Sequence, residues 1–197
     1  MKVLQHLLLL TAATVIISSC KKSSNDSGKS NPAVAQSYSN VSYGTDAAQK
    51  MDVFLPANRS TTSTKAMIII HGGAWSGGDK TDLNAFIDTL KRRMPDYAIF
   101  NINYRLATGT ANFFPTQEND VKAAIEFIYG KRSEYLISDK FVLNGQSAGG
   151  HLALLYAYKY TTPVKIKAVI DFFGPSDMVD LYNNPGLVPA ATIALIV

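Results

Sequence analysis

Gly145-Gln146-Ser147-Ala148-Gly149 sets one hydroxyl midway between two glycines. A serine hydroxyl is a weak nucleophile, useful only when it stands clear of neighbouring side chains and is offered to a base. A sharp strand-to-helix turn achieves that, and its strained backbone leaves no room for side chains at 145 and 149. Because the turn opens a helix, the Ala148 amide has no partner inside that helix and points where a tetrahedral oxyanion would form. The five-residue pattern is weak by itself, since Gly and Ser are common. Its flanks make it specific: apolar Phe141-Val142-Leu143 precedes it and an apolar helical stretch follows.

His71-Gly72-Gly73-Ala74-Trp75 comes directly after the apolar run Ala66–Ile70, at the carboxyl edge where α/β sheets bind ligands. Paired glycines let backbone approach a substrate closely, so Gly73 with Ala74 is expected to form the second wall of an oxyanion hole. Trp75 has two readings of equal weight, a cover over an acyl or alcohol group or plain packing under the loop. His71, placed before the glycines, reads as a hydrogen bonder that orients the loop rather than as a base.

These two segments need a scaffold, and the surrounding pattern supplies one. Short strands are expected at Ser39–Tyr43 and Met51–Leu55, the second closed by Pro56. Ala66–Ile70 is a continuous apolar run, the signature of a strand buried on both faces of a parallel sheet, and Ala98–Ile102 reads as another buried strand. Leu83, Phe86, Ile87 and Leu90 recur at helical spacing within 81–94, ahead of Pro95. Val121, Ala124, Ile125 and Ile128 do the same within 119–129. Phe141–Leu143 is a strand, Gly150–Tyr160 a helix and Ile166–Phe173 a further strand. Strands and helices in this rhythm imply right-handed crossovers, hence an α/β fold with a mostly parallel, doubly wound sheet.

The 197 residues are 47% hydrophobic and 17% charged, a globular composition. Lys2, Lys21, Lys22 and Lys29 against Asp26 put +3 of the formal +4 into the first thirty residues. The folded body is therefore almost neutral, and a nucleic-acid surface is not expected. Residues 1–20 read as a targeting segment, with basic Lys2 and an apolar stretch Leu7–Ile17 too short to span a bilayer. Cys20 is the sole cysteine, so no internal disulfide exists. Residues 21–37 read as a polar, flexible tether, and 38–197 as the domain. The three histidines and the cysteine are scattered without ligand spacing, so neither metal nor organic cofactor is expected.

Ile17-Ser18-Ser19-Cys20 resembles the lipobox of bacterial lipoproteins, which implies an exported chain, anchored to a membrane through acyl groups on Cys20. A cleaved secretory leader is the other reading. The body resembles the bacterial α/β-hydrolases of the carboxylesterase and hormone-sensitive-lipase-like kind, especially the feruloyl-esterase-like (BD-FAE-like) set. The resemblance rests on Tyr43-Gly44 with Gln49–Pro56, His71–Trp75, Asn103-Tyr104-Arg105-Leu106, Phe114-Pro115, Asp120–Ala124 and Gly145–His151. It implies that Ser147 is the nucleophile and that the Ala148, Gly73 and Ala74 amides hold the oxyanion. It also implies that Asp177, in Gly174-Pro175-Ser176-Asp177, borders the substrate pocket. The implied substrate is a short-chain or aromatic acyl ester, a small molecule or a polysaccharide ester, cleaved through an acyl-enzyme.

One departure stands out. In that family an acid and then a histidine follow the serine on later loops, yet the only histidine after Ser147 is His151, one helical turn on. Its ring should point along the helix and not back at the hydroxyl. Asp171, Asp177 and Asp180 follow too closely to serve as the acid. Leu187–Val197 is almost wholly apolar and would leave the last strand as a bare sheet edge. The expectation is an incomplete domain with its C-terminal strands missing, inactive as these 197 residues alone. A peptidase of the same fold and a non-catalytic surface lipoprotein remain as alternatives.

Overall fold

Runs of β-branched and aromatic residues set the strands, and the segments between them carry apolar residues at helical spacing. In chain order the elements are β1 (Gln36–Ser42), β2 (Lys50–Leu55), β3 (Lys65–Ile70), α1 (Asn84–Arg93), β4 (Tyr97–Ile102), α2 (Thr116–Gly130), α3 (Arg132–Tyr135), β5 (Lys140–Gln146), α4 (Ala148–Lys159), β6 (Lys165–Phe172), α5 (Met178–Asn183) and α6 (Ala190–Ile193). The computed structural model describes residues 32–186 and 188–195. Cys20, the segment 1–20 and the tether up to residue 31 lie outside the described residues.

The six strands lie in the order β1-β2-β4-β3-β5-β6. β4, β3, β5 and β6 are parallel neighbours, while β2 joins β4 and β1 joins β2 antiparallel. This is the mixed, mostly parallel sheet that the alternating pattern implies. Side-chain alternation splits the core into two layers. Ala66, Ile68 and Ile70 of β3, with Phe100 of β4 and Leu143 of β5, face α2 and α4 through Val121, Ile125, Ile128, Leu152 and Tyr156. Met67, Ile69, Ile99 and Val142 face Leu83 and Ile87 on the α1 side. Helices thus cover both faces of the central strands, which holds the carboxyl ends of β3 and β5 side by side.

Several boundaries differ from the sequence expectation, each for a local reason. β1 starts inside the polar stretch 21–37: Gln36 and Ser37 pair with Leu55 and Phe54, and the Arg59 guanidinium donates to the Val34 carbonyl at 2.7 Å and to the Gln36 side chain. The helix expected over 81–94 opens with a 3-10 turn at Lys80–Leu83, begun by a capping box between Asp79 and Asp82. β6 is an edge strand among the described residues, with Phe172 39% and Phe173 78% exposed. The apolar end is partly docked: Ile193 is buried, and the Phe114 amide donates to the Leu195 carbonyl at 3.1 Å.

Candidate active site

β5 ends at Gln146 and α4 starts at Ala148, so Ser147 alone makes the turn between them. Its φ of 51° and ψ of −120° lie where a side chain is strained. Two contacts hold it there. The Ser147 amide donates to the Phe172 carbonyl of β6 at 2.8 Å, and its carbonyl accepts from the His151 amide at 3.1 Å. The glycines are required by backbone and not by flexibility. A Cβ on Gly145 would stand 2.1 Å from the Gly149 carbonyl oxygen, and one on Gly149 would stand 2.2 Å from that of Ile70. The Ser147 side chain makes no helix-capping bond, and the residue is half-buried.

The double-glycine loop lies directly against this turn. A Cβ on Gly72 would sit 2.9 Å from the Gln146 carbonyl oxygen and 3.3 Å from the Ser147 Cβ. Sequence reasoning placed the two segments at one sheet edge, and the structure puts them in van der Waals contact. Gly73, Ala74 and Trp75 take φ of 107°, 49° and 60°, three consecutive residues in the left-handed half of the map. The Gly73 carbonyl is turned away to accept from the Ser76 and Gly77 amides at 3.1 and 2.8 Å. Among the described residues no backbone acceptor takes the amides of Gly73 or Ala74, and Ala148 is the first residue of α4, where amides lack an intrahelical partner. Three donors, from Gly73, Ala74 and Ala148, are therefore unclaimed around the Ser147 turn.

Neither described histidine is set up as a base for Ser147. The His71 ring stacks on Tyr104 at 4.4 Å; its Nδ1 lies 2.6 Å from the Gly72 carbonyl oxygen, and its buried Nε2 has no hydrogen-bond partner among the described residues. Burial pushes its pKa below the usual histidine value, against the opposing pull of the Gly72 carbonyl, Asp79 and Asp82. His71 thus orients the loop, as its position before the glycines implies. His151 lies one turn up α4, its ring edge-on to Trp75 at 5.3 Å; burial lowers its pKa too, with Glu118 and Asp171 opposing. Both shifts favour the neutral form of the ring.

Trp75 and Asp177, expected at the substrate pocket, are placed in different surroundings. Trp75 is 2% exposed and belongs to the core, which favours packing under the loop of its two readings. Asp177 is exposed and caps α5, its carboxylate accepting from the Asp180 amide at 2.9 Å. Asp171 is likewise occupied, accepting from the Gly174 amide at 2.9 Å.

Other residues of the site carried no role in the sequence reading. Asp79 bonds the Thr81 amide and hydroxyl and the Asn103 side chain. Partial burial alone would raise its pKa, but those bonds and the nearby Lys80 charge hold it at about 2. Lys80 reaches the Asp52 carboxylate of β2 at 2.8 Å, both residues being buried. Asp120 of α2 receives Arg105 through its backbone amide and guanidinium, and Gln49 at 2.7 Å. The Asp-x-x-Asp spacing of Asp79 and Asp82 ahead of an apolar period was the available signal for a cap. Nothing in the sequence marks Lys80 as buried. A cavity of about 560 Å³ lies at the opposite end of the sheet, among Ser37, Phe54, Asp96 and Tyr97. It contains no residue of the turn or the loop, and its rings are covered by Lys91 over Phe54 and Lys65 over Tyr97.

Against this geometry, a family model described as BD-FAE matches residues 51–193. Esterase LipC of Mycobacterium tuberculosis is 26% identical over 152 residues, covering 71% of this chain and 37% of that protein. Arylacetamide deacetylase of Oryctolagus cuniculus is 31% identical over 121 residues, covering 58% and 29%. Among solved structures, a truncated form of a carbohydrate esterase from gut microbiota superposes with a TM-score of 0.65 at 27% identity, over 79% of this chain and 62% of that one. The chain spans about a third of the length of these two curated relatives.

Proposed function

Since the chain belongs to the BD-FAE family of α/β-hydrolase-fold proteins, we propose that it carries the nucleophile and the oxyanion donors of a carboxylic ester hydrolase. One observation carries the reading: a strained serine and a loop with unclaimed amides meet at a backbone approach that only glycine at 72 and 149 permits. The Ser147 hydroxyl oxygen bonds to the ester carbonyl carbon and gives up its proton to a base. The oxyanion that results is held by the amides of Ala148, Gly73 and Ala74. Collapse breaks the bond to the alcohol, which leaves with a proton, and an acyl-serine remains. Water then attacks that acyl group, releasing the carboxylic acid and restoring the hydroxyl.

The base has to stand about 3 Å from the hydroxyl, and His71 and His151 are both engaged elsewhere. For substrate class, the likeness to a carbohydrate esterase at 27% identity supports an acyl ester on a sugar. The test is hydrolysis of p-nitrophenyl acetate and of an aminoacyl p-nitroanilide by the full reading frame that encodes this sequence. Ester cleavage that falls by about 10³-fold or more in Ser147→Ala is the expected result. Cleavage of the anilide alone assigns a peptidase, and ester cleavage that survives the substitution overturns the role of Ser147.

A further inference from the structure

The segment after the double-glycine loop is fastened in a way that helix capping does not require. Asp79 and Asp82 already cap the 3-10 turn: the Asp79 side chain accepts from the Thr81 amide, and the Asp79 amide donates to the Asp82 carboxylate at 2.9 Å. Lys80 nevertheless turns inward and is 5% exposed. Its ammonium reaches Asp52 at 2.8 Å, its amide donates to the Asn103 side chain at 2.6 Å, and its carbonyl accepts from the Asn101 side chain at 2.7 Å. Asp52 is itself held, its other oxygen accepting from the Asn40 amide at 2.8 Å, and it stands opposite Asn101 in the β2–β4 register. One residue is thus tied at three points, to β2, to β4 and to Asn103 just past the end of β4. Burying such a pair is costly and often adds little net stability, so its use is better sought in fixing one arrangement among several.

What it fixes is the loop immediately before it. Residues 73–75 hold positive φ, two of them without glycine's tolerance, and a backbone of that kind persists only when its ends are over-determined. The entry is held by β3 and by Tyr104, whose hydroxyl donates to the His71 carbonyl at 3.1 Å. Gly78 packs its Cα against the Gly72 carbonyl and the His71 ring, where a Cβ would come within 2.6 Å. The exit is Asp79 and Lys80. We propose that Lys80 and Asp52 are positioning residues for the oxyanion-binding loop, clamping its exit to β2 and β4 so that the Gly73 and Ala74 amides stay turned toward Ser147. The inference rests on the ester-hydrolase reading for its functional consequence, though its structural part stands apart from that reading.

The experiment therefore has two arms, each on the product of the full reading frame as wild type, Lys80→Met and the isosteric Asp52→Asn. Amide hydrogen exchange is followed at Ser76 and Gly77, which bond the Gly73 carbonyl, and at Ile68 and Leu143 in the sheet. Exchange at 76 and 77 is expected to rise at least about tenfold in both variants while 68 and 143 hold their protection, as for a local opening. An unchanged loop, or a rise only in proportion to that of the sheet, overturns the proposal. In the second arm, phosphonylation of Ser147 by a fluorophosphonate is expected to slow at least about tenfold, as on loss of an oxyanion donor. Loosened exchange with wild-type labelling rates overturns the functional half alone. A wild type that does not label counts against the ester-hydrolase reading and leaves the exchange arm to decide the clamp.

Discussion

Replacing Gly149 with alanine is expected to lower the stability of the fold by about 3 kcal/mol or more, the upper range for overpacking against backbone. The added methyl would stand 2.2 Å from the Ile70 carbonyl oxygen and 2.5 Å from that of His71. Both atoms belong to the end of β3 and the start of the loop, and neither is the tip of a flexible side chain that can swing aside. Relief requires α4 to move off β3, which drags the Ser147 turn away from Gly72. Stability and site geometry therefore fail together. Urea denaturation gives the stability change, and a midpoint within experimental scatter of wild type would refute the contact. Ala148→Gly is the companion control, since it removes a methyl at the next position without adding bulk.

Asp120→Ala is expected to cost about 2–3 kcal/mol, since the Arg105 and Gln49 donors lose a buried acceptor while the Arg105 guanidinium, 29% exposed, can turn to solvent. Asp120 is 1% exposed and receives the Arg105 amide at 2.8 Å, two guanidinium nitrogens at 2.6 and 2.9 Å, and Gln49 at 2.7 Å. Truncation takes the acceptor from all of these donors, two of them on a cation. The consequence reaches the site because Arg105 follows Tyr104, whose ring supports His71 at the loop entry. Asp120→Asn keeps an acceptor and should lose distinctly less. Equal losses for the two variants would show that shape, not the ionic hydrogen bonds, is what matters at this position. Calorimetric unfolding distinguishes them.

The sheet and the turn were legible in the sequence because they are periodic or sterically forced. Ala66–Ile70 is apolar throughout and Ala98–Ile102 apolar but for Asn101, short runs that fit strands buried on both faces. Gly145 and Gly149 announce a close approach, and the structure supplies the atoms approached. Trp75 was ambiguous because a lone aromatic after a loop fits a pocket wall and a core equally well; only its neighbours, His151 and the buried face of α4, decide. Lys80 was invisible for the opposite reason. A lysine beside Asp79 and Asp82 reads as surface, and its burial depends on Asp52, 28 residues earlier, arriving from the neighbouring β2. Long-range pairings of this kind leave no local period. The short α5 and α6 were also missed, being too brief to show a helical repeat.

The most direct measurement is the site of covalent modification. The full-length protein, treated with a fluorophosphonate and digested, should yield one phosphonylated peptide, with the adduct on Ser147 and none in Ser147→Ala. An adduct on any other residue, or none on a protein shown to be folded, would contradict a serine held beside the amides of Gly73, Ala74 and Ala148 as the reacting group.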